Sequence, residues 1–461
     1  MNILFVTHDL SYADHISIAY LSSIAIQLGH YTYFSTLAKE RFCQHDLLTA
    51  VADIKPDVVA YSINVVGFQR VVELNREAKK LHNYISILGG PQATFSPETF
   101  PDSGMDAYCI GEGESSFRDF LLAVNNKQPF DDIPNLITQN KTNDVRRLIK
   151  VGELPPADRD LILSNTALGK LPKKTFYTSR GCPFKCAYCC NDYYRNLYKG
   201  KGPIVRRFPV SYIIDEITHV KNNYRMDFVK FGDDCFSLRA DDWLEEFCDL
   251  YATNIKVPFN CYLRLDTVDD NMLRMLKKAG CFSVHLSVDS TSHYIRETML
   301  KRKMLTENLV EQLKLINSYG INTWVNYMLA IPESTVQDDL DTIEMSKEGK
   351  VTYAAYSTTV PMVQTALYEY SVEHSLLDPN NYQGDMVGCN LRSTLSCFTE
   401  KEKDIRFNVF LLGALIAKLP NVLRKLAIYM IKHVPPNKAF AWIRRVMYNY
   451  YVERKIFKLH G

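Results

Sequence analysis

Short apolar runs alternate with amphipathic stretches along the first 125 residues, and the two periods read as strand and helix in turn. The apolar runs are 2–7, 31–35, 56–63, 85–88 and 107–110. Helical stripes fall between them at 16–28, where Gly29 supplies a stop, and at 41–53 and 69–81. Such alternation predicts a five-stranded parallel sheet with helices on both faces, a flavodoxin-like or Rossmann-like arrangement that binds ligands beyond the carboxyl ends of its strands. Residues 128–171, with Pro134, Pro155 and Pro156, read as a connector. Alternation then resumes. Strands are expected at 175–179, 228–232, 259–264, 283–288, 323–330 and 353–359, and helices at 210–224, 241–253, 271–279, 306–319 and 336–348. Six strand–helix repeats predict a partial (βα)6 barrel, whose chemistry gathers at the carboxyl ends of its strands. From residue 371 the pattern is less regular, and from 405 it is helical. The domains expected are therefore 1–127, a connector at 128–171, a barrel at 172–370 and a C-terminal helical segment at 371–461.

Length and charge refine this picture. A chain of 461 residues suffices for two or three domains with a large core. The net charge of +2 implies no field for nucleic acid. The charge is uneven, however: residues 401–461 hold 13 Lys and Arg against 3 Asp and Glu, a local +10. There Lys418, Arg424, Lys425, Lys432, Arg444 and Arg445 punctuate apolar and aromatic positions. The segment reads as a helix pair packed on the barrel with a solvated basic face, or more sharply as an interfacial surface for anionic lipid. The first residues are a strand pattern without a basic leader, and no apolar run reaches the roughly 20 residues that span a bilayer. Twelve cysteines without a secretory signal then point to a reducing cytoplasm. Cys43, Cys109, Cys235, Cys248, Cys261 and Cys281 are scattered singly in apolar segments and read as small core residues.

Cys182, Cys186 and Cys189 are different. They stand C-x3-C-x2-C in one short loop after an expected strand and an Arg-Gly turn. Three thiolates hold three irons of a 4Fe–4S cube and leave the fourth iron open to a small chelating molecule. A structural zinc site wants four ligands, usually as two C-x2-C pairs, and no second pair lies near. Three clustered cysteines also cannot all pair as disulfides.

With Tyr188 as an aromatic residue before the third cysteine, this loop resembles the signature of the radical S-adenosylmethionine superfamily. The resemblance implies a 4Fe–4S cluster on Cys182, Cys186 and Cys189. It also implies reductive cleavage of S-adenosylmethionine to methionine and a 5′-deoxyadenosyl radical that takes hydrogen from substrate. It assigns the later strand ends too. Gly232, Asp233 and Asp234 orient the methionine amine. Arg264 grips a carboxylate, Ser287 and Asp289 meet the ribose, and Ile331 lies near adenine, although relatives usually carry glycine at Ala330 or Ile331. Plainer roles compete: a helix cap for Asp233 or Asp234, a surface ion pair for Arg264, turn positions for Ser287 and Asp289. Cys190 and Cys235 read as spectators.

In the N-terminal region, the stretches Leu88-Gly89-Gly90-Pro91 and Ile110-Gly111-Glu112-Gly113-Glu114 follow strands four and five. With the helix near residue 16 and the strand near 58, they resemble the cobalamin-binding domain that precedes many radical S-adenosylmethionine cores. By that resemblance Ser62, Gly89, Gly90, Gly111, Glu112 and Gly113 line the cobalamin. The D-x-H-x-x-G run that supplies a cobalt histidine is absent from residues 8–15, which leaves His8 and His15 as solvated loop histidines and the lower cobalt face without one. The methylthiotransferases have a similar domain but need three cysteines there, and residues 1–150 hold only Cys43 and Cys109.

The combined resemblance implies a cobalamin-dependent radical enzyme, most commonly one that methylates an unactivated carbon. Its runner-up is cyclisation, ring rearrangement or oxidation without methyl transfer. A non-catalytic cobalamin-binding protein has no need of an open iron. The implied partners are a small-molecule or lipid-like substrate and an electron donor such as flavodoxin or ferredoxin, with no nucleic acid. Peripheral membrane contact goes with the sharper reading of the basic tail.

Overall fold

The computed structural model describes all residues except 9, 11–14, 307, 380–381, 383–387 and 460–461. The backbone divides into two compact units: residues 1–175 with 194–226, and residues 176–193 with 227–461.

The first unit is built on six strands: β1 (Asn2–Thr7), β2 (Tyr31–Thr36), β3 (Val58–Ser62), β4 (Ile85–Gly89), β5 (Ala107–Cys109) and β6 (Leu136–Ile137). Their order is β2-β1-β3-β4-β5-β6. The first five run parallel, and β6 is antiparallel to β5. The expected five-stranded sheet is therefore present, with a sixth strand from the supposed connector. That strand is two residues long, too short for its period to show in the sequence. The order 2-1-3-4-5 makes the gap between β1 and β3 the point where the winding reverses, the place where ligands bind in such sheets. The helix expected at 41–53 is shorter, Leu47–Ile54, because Asp46 caps it by accepting from the Thr49 N–H at 3.0 Å.

The second sheet has β7 (Lys173–Phe176), β8 (Phe228–Phe231), β9 (Phe259–Tyr262), β10 (Cys281–Asp289), β11 (Asn322–Leu329) and β12 (Tyr353–Thr358). It lies in the sequential order β12-β11-β10-β9-β8-β7, as a partial barrel requires. An aromatic cluster fills the space beside β8 and β9: the Phe231 ring lies 5.0–6.0 Å from Phe236, Phe247, Tyr251 and Phe259. Each such side chain contributes about 2–3 kcal/mol by leaving water. The helix Val336–Glu348 begins where a capping box fixes it, with Thr335 and Asp338 satisfying each other's backbone N–H groups.

Where a helix pair is expected, the described residues from 400 on form the helices Glu400–Ile416, Asn421–His433 and Lys438–Tyr448, followed by a last helical turn within Asn449–Ile456. The first buries Val409, Phe410, Leu412 and Ile416. Its Arg406 forms a buried ion pair with Asp339. The last turn closes the amino end of the strands. Ser283 Oγ donates to the Ile456 carbonyl at 2.6 Å. Phe457 lies 6.0 Å from His285, which is itself stacked between Tyr262 and Trp324. The carboxyl ends remain for the cysteine loop.

Candidate functional site

In the second unit the cysteine loop follows a two-residue strand, Ser179–Arg180, that is separate from β7. β7 ends at Phe176, three residues before the expected Ser179. The reason is Asp233. Its Oδ1 accepts from the Thr178 N–H at 2.8 Å, the Thr178 hydroxyl at 3.1 Å and the Ser179 hydroxyl at 2.6 Å, which bends the chain away from the sheet. Asp233 is buried and its Oδ2 has no hydrogen-bond partner. Burial pushes its carboxyl up to about 6 despite the three donors. Gly232 is needed here as well, because a Cβ would lie 2.7 Å from the Tyr177 ring.

Asp234 is the neighbour that faces the thiols. It keeps solvent access. Its crowded surroundings lift its carboxyl, opposed by a hydrogen bond with Asn191. Neither aspartate caps the next helix; Asp241 does, accepting from Leu244 N–H at 3.2 Å.

Burial lifts the Cys182 thiol to about 11, with Asp234, Cys189 and Cys186 adding to the shift. The Cys189 thiol is lowered, first by a hydrogen bond from Cys190, and Asn191 Nδ2 also donates to its sulfur at 3.6 Å. The three thiols sense one another's charge on one loop, a donor set that fits an iron–sulfur cube.

A charged side chain that sequence reasoning missed completes this loop. Arg302 is buried, with Nε 3.0 Å from Asp289 Oδ2. Its Nη2 donates to the Ser287 carbonyl at 2.7 Å, and its Nη1 reaches the Tyr188 hydroxyl at 3.3 Å and the Cys186 sulfur at 3.8 Å. Its charge opposes the rise that burial gives the Cys186 thiol. Tyr188 donates to Asp289 Oδ2, and Ser287 to Asp289 Oδ1. Asp289 holds a left-handed backbone, φ 67°. The structure therefore brings Tyr188, Ser287 and Asp289 together with the cysteines.

Arg264 is not a surface ion pair. It is buried, donates to Asp266 at 2.7 Å and to the Lys303 carbonyl, and stacks 3.8 Å over the Phe184 ring of the cysteine loop. Ile331 is fully buried in an apolar cluster with Ile295, Met299 and Leu300, against which Tyr188 packs.

In the first unit, Thr7, Ser62 and Gly89 lie in register at the carboxyl ends of β1, β3 and β4. Gly90 and Gly111 have φ of 84° and 69°, conformations that favour glycine. A Cβ on Gly111 would lie 2.0 Å from the Tyr198 hydroxyl. That hydroxyl accepts from the Glu112 N–H at 2.6 Å, and Arg206 grips the Glu112 carboxylate at 2.8 and 2.5 Å. Glu112 and Gly113 thus shape the turn after β5, with Gly113 opening the helix Glu114–Asn125. Backbone dominates the rim at the carboxyl ends of β4 and β5, next to β3, which fits close approach of a bulky flat ligand. Of the expected solvated histidines, His15 bonds Thr7 Oγ1 at 3.2 Å, and the His8 ring packs where a Cβ on Gly67 would stand. Residues 9 and 11–14 between them lie outside the described residues.

Comparison with known proteins follows the same division. The Radical SAM superfamily profile matches residues 176–345, and the B12 binding domain profile matches residues 6–121. The chain is 24% identical to an uncharacterized methyltransferase, PH0819, of Pyrococcus horikoshii, over 80% of each chain. It is 20% identical to the anaerobic magnesium-protoporphyrin IX monomethyl ester cyclase of Rubrivivax gelatinosus, over 76% of this chain and 65% of that one. The fold is similar to that of the radical S-adenosylmethionine methyltransferase TsrM from Kitasatospora setae, solved with cobalamin and a [4Fe-4S] cluster. The TM-score is 0.65 over 97% of this chain and 99% of that one, at 12% identity.

Proposed function

We propose that this chain, which matches the Radical SAM superfamily over residues 176–345 and the B12 binding domain over residues 6–121, is a cobalamin-dependent radical S-adenosylmethionine enzyme that methylates an unactivated carbon of a small, lipid-like or natural-product substrate. One observation carries the reading: a three-thiol loop and a cobalamin-type domain stand in one chain whose relatives include a methyltransferase. When bound, the cluster supplies one electron to S-adenosylmethionine, and cobalamin carries the methyl group.

The chain's own residues have the following parts. Cys182, Cys186 and Cys189 hold the cluster. Asp234 takes the methionine ammonium, for which an accessible carboxylate beside the thiols is suited. Asp233 fixes the start of the loop. Ser287 and Asp289 present oxygens for ribose, with Asp289 held by Arg302 and Tyr188. Arg264 keeps the loop in place through Phe184. Ile331 and its apolar neighbours exclude water from the adenine side. Ser62, Gly89, Gly90, Gly111, Glu112 and Gly113 form the cobalamin rim. A flavodoxin or ferredoxin supplies the electron.

A second reading, ring formation without methyl transfer, is favoured by the likeness to a cyclase. Product mass decides between them. A gain of one methylene on the substrate supports methylation, and a loss of hydrogen with no added carbon supports the second reading.

A further inference from the structure

We propose that the second and third C-terminal helices form a docking surface for an anionic lipid bilayer. The helix Asn421–His433 is seated through a narrow stripe. Arg424 and Ile431 are buried, Arg424 pairs with Glu344 at 2.9 Å, and Asn408 Nδ2 donates to the Ile431 carbonyl at 2.9 Å. The opposite face is apolar and lies in water. Val422, Leu426 and Tyr429 fall at i, i+4 and i+7 and are 80%, 63% and 62% exposed, with Leu423 exposed beside them. The helix Lys438–Tyr448 repeats the pattern. Phe440 is buried, while Trp442 (58% exposed) and Val446, one turn on, face outward. Single exposed apolar residues are ordinary. A whole helix face of them, twice, marks an interaction surface.

Charge selects the occupant. Residues 421–459 hold nine Lys and Arg and one acidic residue, Glu453. Lys425, Lys438 and Arg445 are exposed and Lys432 half-buried, and among the described residues none of the four has a carboxylate within ion-pair distance. A second copy of this chain would bring two such cationic faces together. An anionic headgroup layer over acyl chains matches both the charge and the apolar stripe, and a tryptophan between basic residues is the usual composition of interfacial helices. Among the described residues no helix is long and apolar enough to cross a membrane, so the contact lies in the interface plane. The inference does not depend on the catalytic reading.

The test uses the full chain with vesicles of phosphatidylglycerol and phosphatidylcholine, and of phosphatidylcholine alone, at low and high salt. The reporter is tryptophan emission, because Trp442 is exposed whereas Trp243 and Trp324 are half-buried in aromatic clusters. A blue shift and co-sedimentation with the anionic vesicles at low salt are expected, reversed at high salt and absent with phosphatidylcholine. Leu426→Asp, and separately Lys425→Glu with Lys432→Glu, are expected to weaken partitioning at least tenfold while leaving the melting temperature unchanged. No shift with anionic vesicles overturns the proposal, as does equal binding to neutral ones. A dimer in sedimentation equilibrium that Leu426→Asp disperses also overturns it, in favour of a second copy.

Discussion

The Tyr188 hydroxyl donates to Asp289 Oδ2 at 2.7 Å, across 101 residues of sequence. It ties the position just before the third loop cysteine to the carboxyl end of β10. Arg302 sits on the same oxygen and reaches Cys186, so a single buried cation holds the loop and the strand end together.

That pair sets the first prediction. Removing one partner of a buried ion pair strands the other, at about 3–5 kcal/mol. Arg302→Gln is expected to lower the melting temperature of the cluster-free protein, and Arg302→Gln with Asp289→Asn to recover part of the loss. A single variant that melts like wild type would show that the pair holds nothing.

The cysteines set the second. Alanine at Cys182, Cys186 or Cys189 is expected to abolish both the cluster absorbance near roughly 400 nm and all 5′-deoxyadenosine formation. Cys190→Ala is expected to keep both, although Cys190 is hydrogen-bonded to Cys189. A chain that needs Cys190 but tolerates loss of one of the three refutes the ligand set.

Asp234 and Asp233 are expected to separate. Asp234→Asn removes a charge-assisted bond to the ammonium, worth about 1.5–3 kcal/mol, and so lowers S-adenosylmethionine affinity roughly tenfold or more. Titration calorimetry on reconstituted protein measures this. Unchanged affinity would return Asp234 to a structural role.

Asp233 acts on stability instead. Its folded carboxyl is raised to about 6 from an ordinary 3.8. Between those values the folded state binds more protons, so rising pH destabilises it. Its contribution is fully present below about pH 4 and lost above about pH 6, on the order of 2–3 kcal/mol. The difference in stability between wild type and Asp233→Asn, followed by thermal melts across that window, is expected to shift by this amount. A pH-independent difference contradicts the assignment.

Gly111→Ala tests the cobalamin rim. A left-handed backbone costs a non-glycine residue about 1–2 kcal/mol, and the new methyl would meet the buried Tyr198 hydroxyl. Lower melting and loss of cobalamin on gel filtration are expected, with partial recovery of stability when Tyr198→Phe is added. Retention of cobalamin at wild-type level would place the ligand elsewhere.

The strands were legible because their signal is local. Asn2–Thr7 and the helix Val336–Glu348 stand where the apolar period puts them. The cysteine spacing was legible for the same reason. Arg302 was not: between Lys301 and Lys303 it reads as a solvated loop cation, and nothing local reveals that it is buried against Asp289. Tyr198 and Arg206, which shape the Gly111–Glu112 turn, were hidden in the same way by sequence separation. Asp233 and Asp234 are adjacent and alike in sequence; only the hydrogen bonds that Asp233 accepts from Thr178 and Ser179 tell them apart.

The central claim is that one chain uses an open iron–sulfur loop and cobalamin together. The most direct measurement is anaerobic reconstitution with iron, sulfide and cobalamin, followed by incubation with S-adenosylmethionine and a low-potential reductant and assay of two products. The account predicts 5′-deoxyadenosine that depends on Cys182, Cys186 and Cys189, together with S-adenosylhomocysteine that depends on added cobalamin. 5′-Deoxyadenosine alone, from a protein shown to hold both the cluster and cobalamin, would contradict methyl transfer, and the absence of both products would contradict the account as a whole.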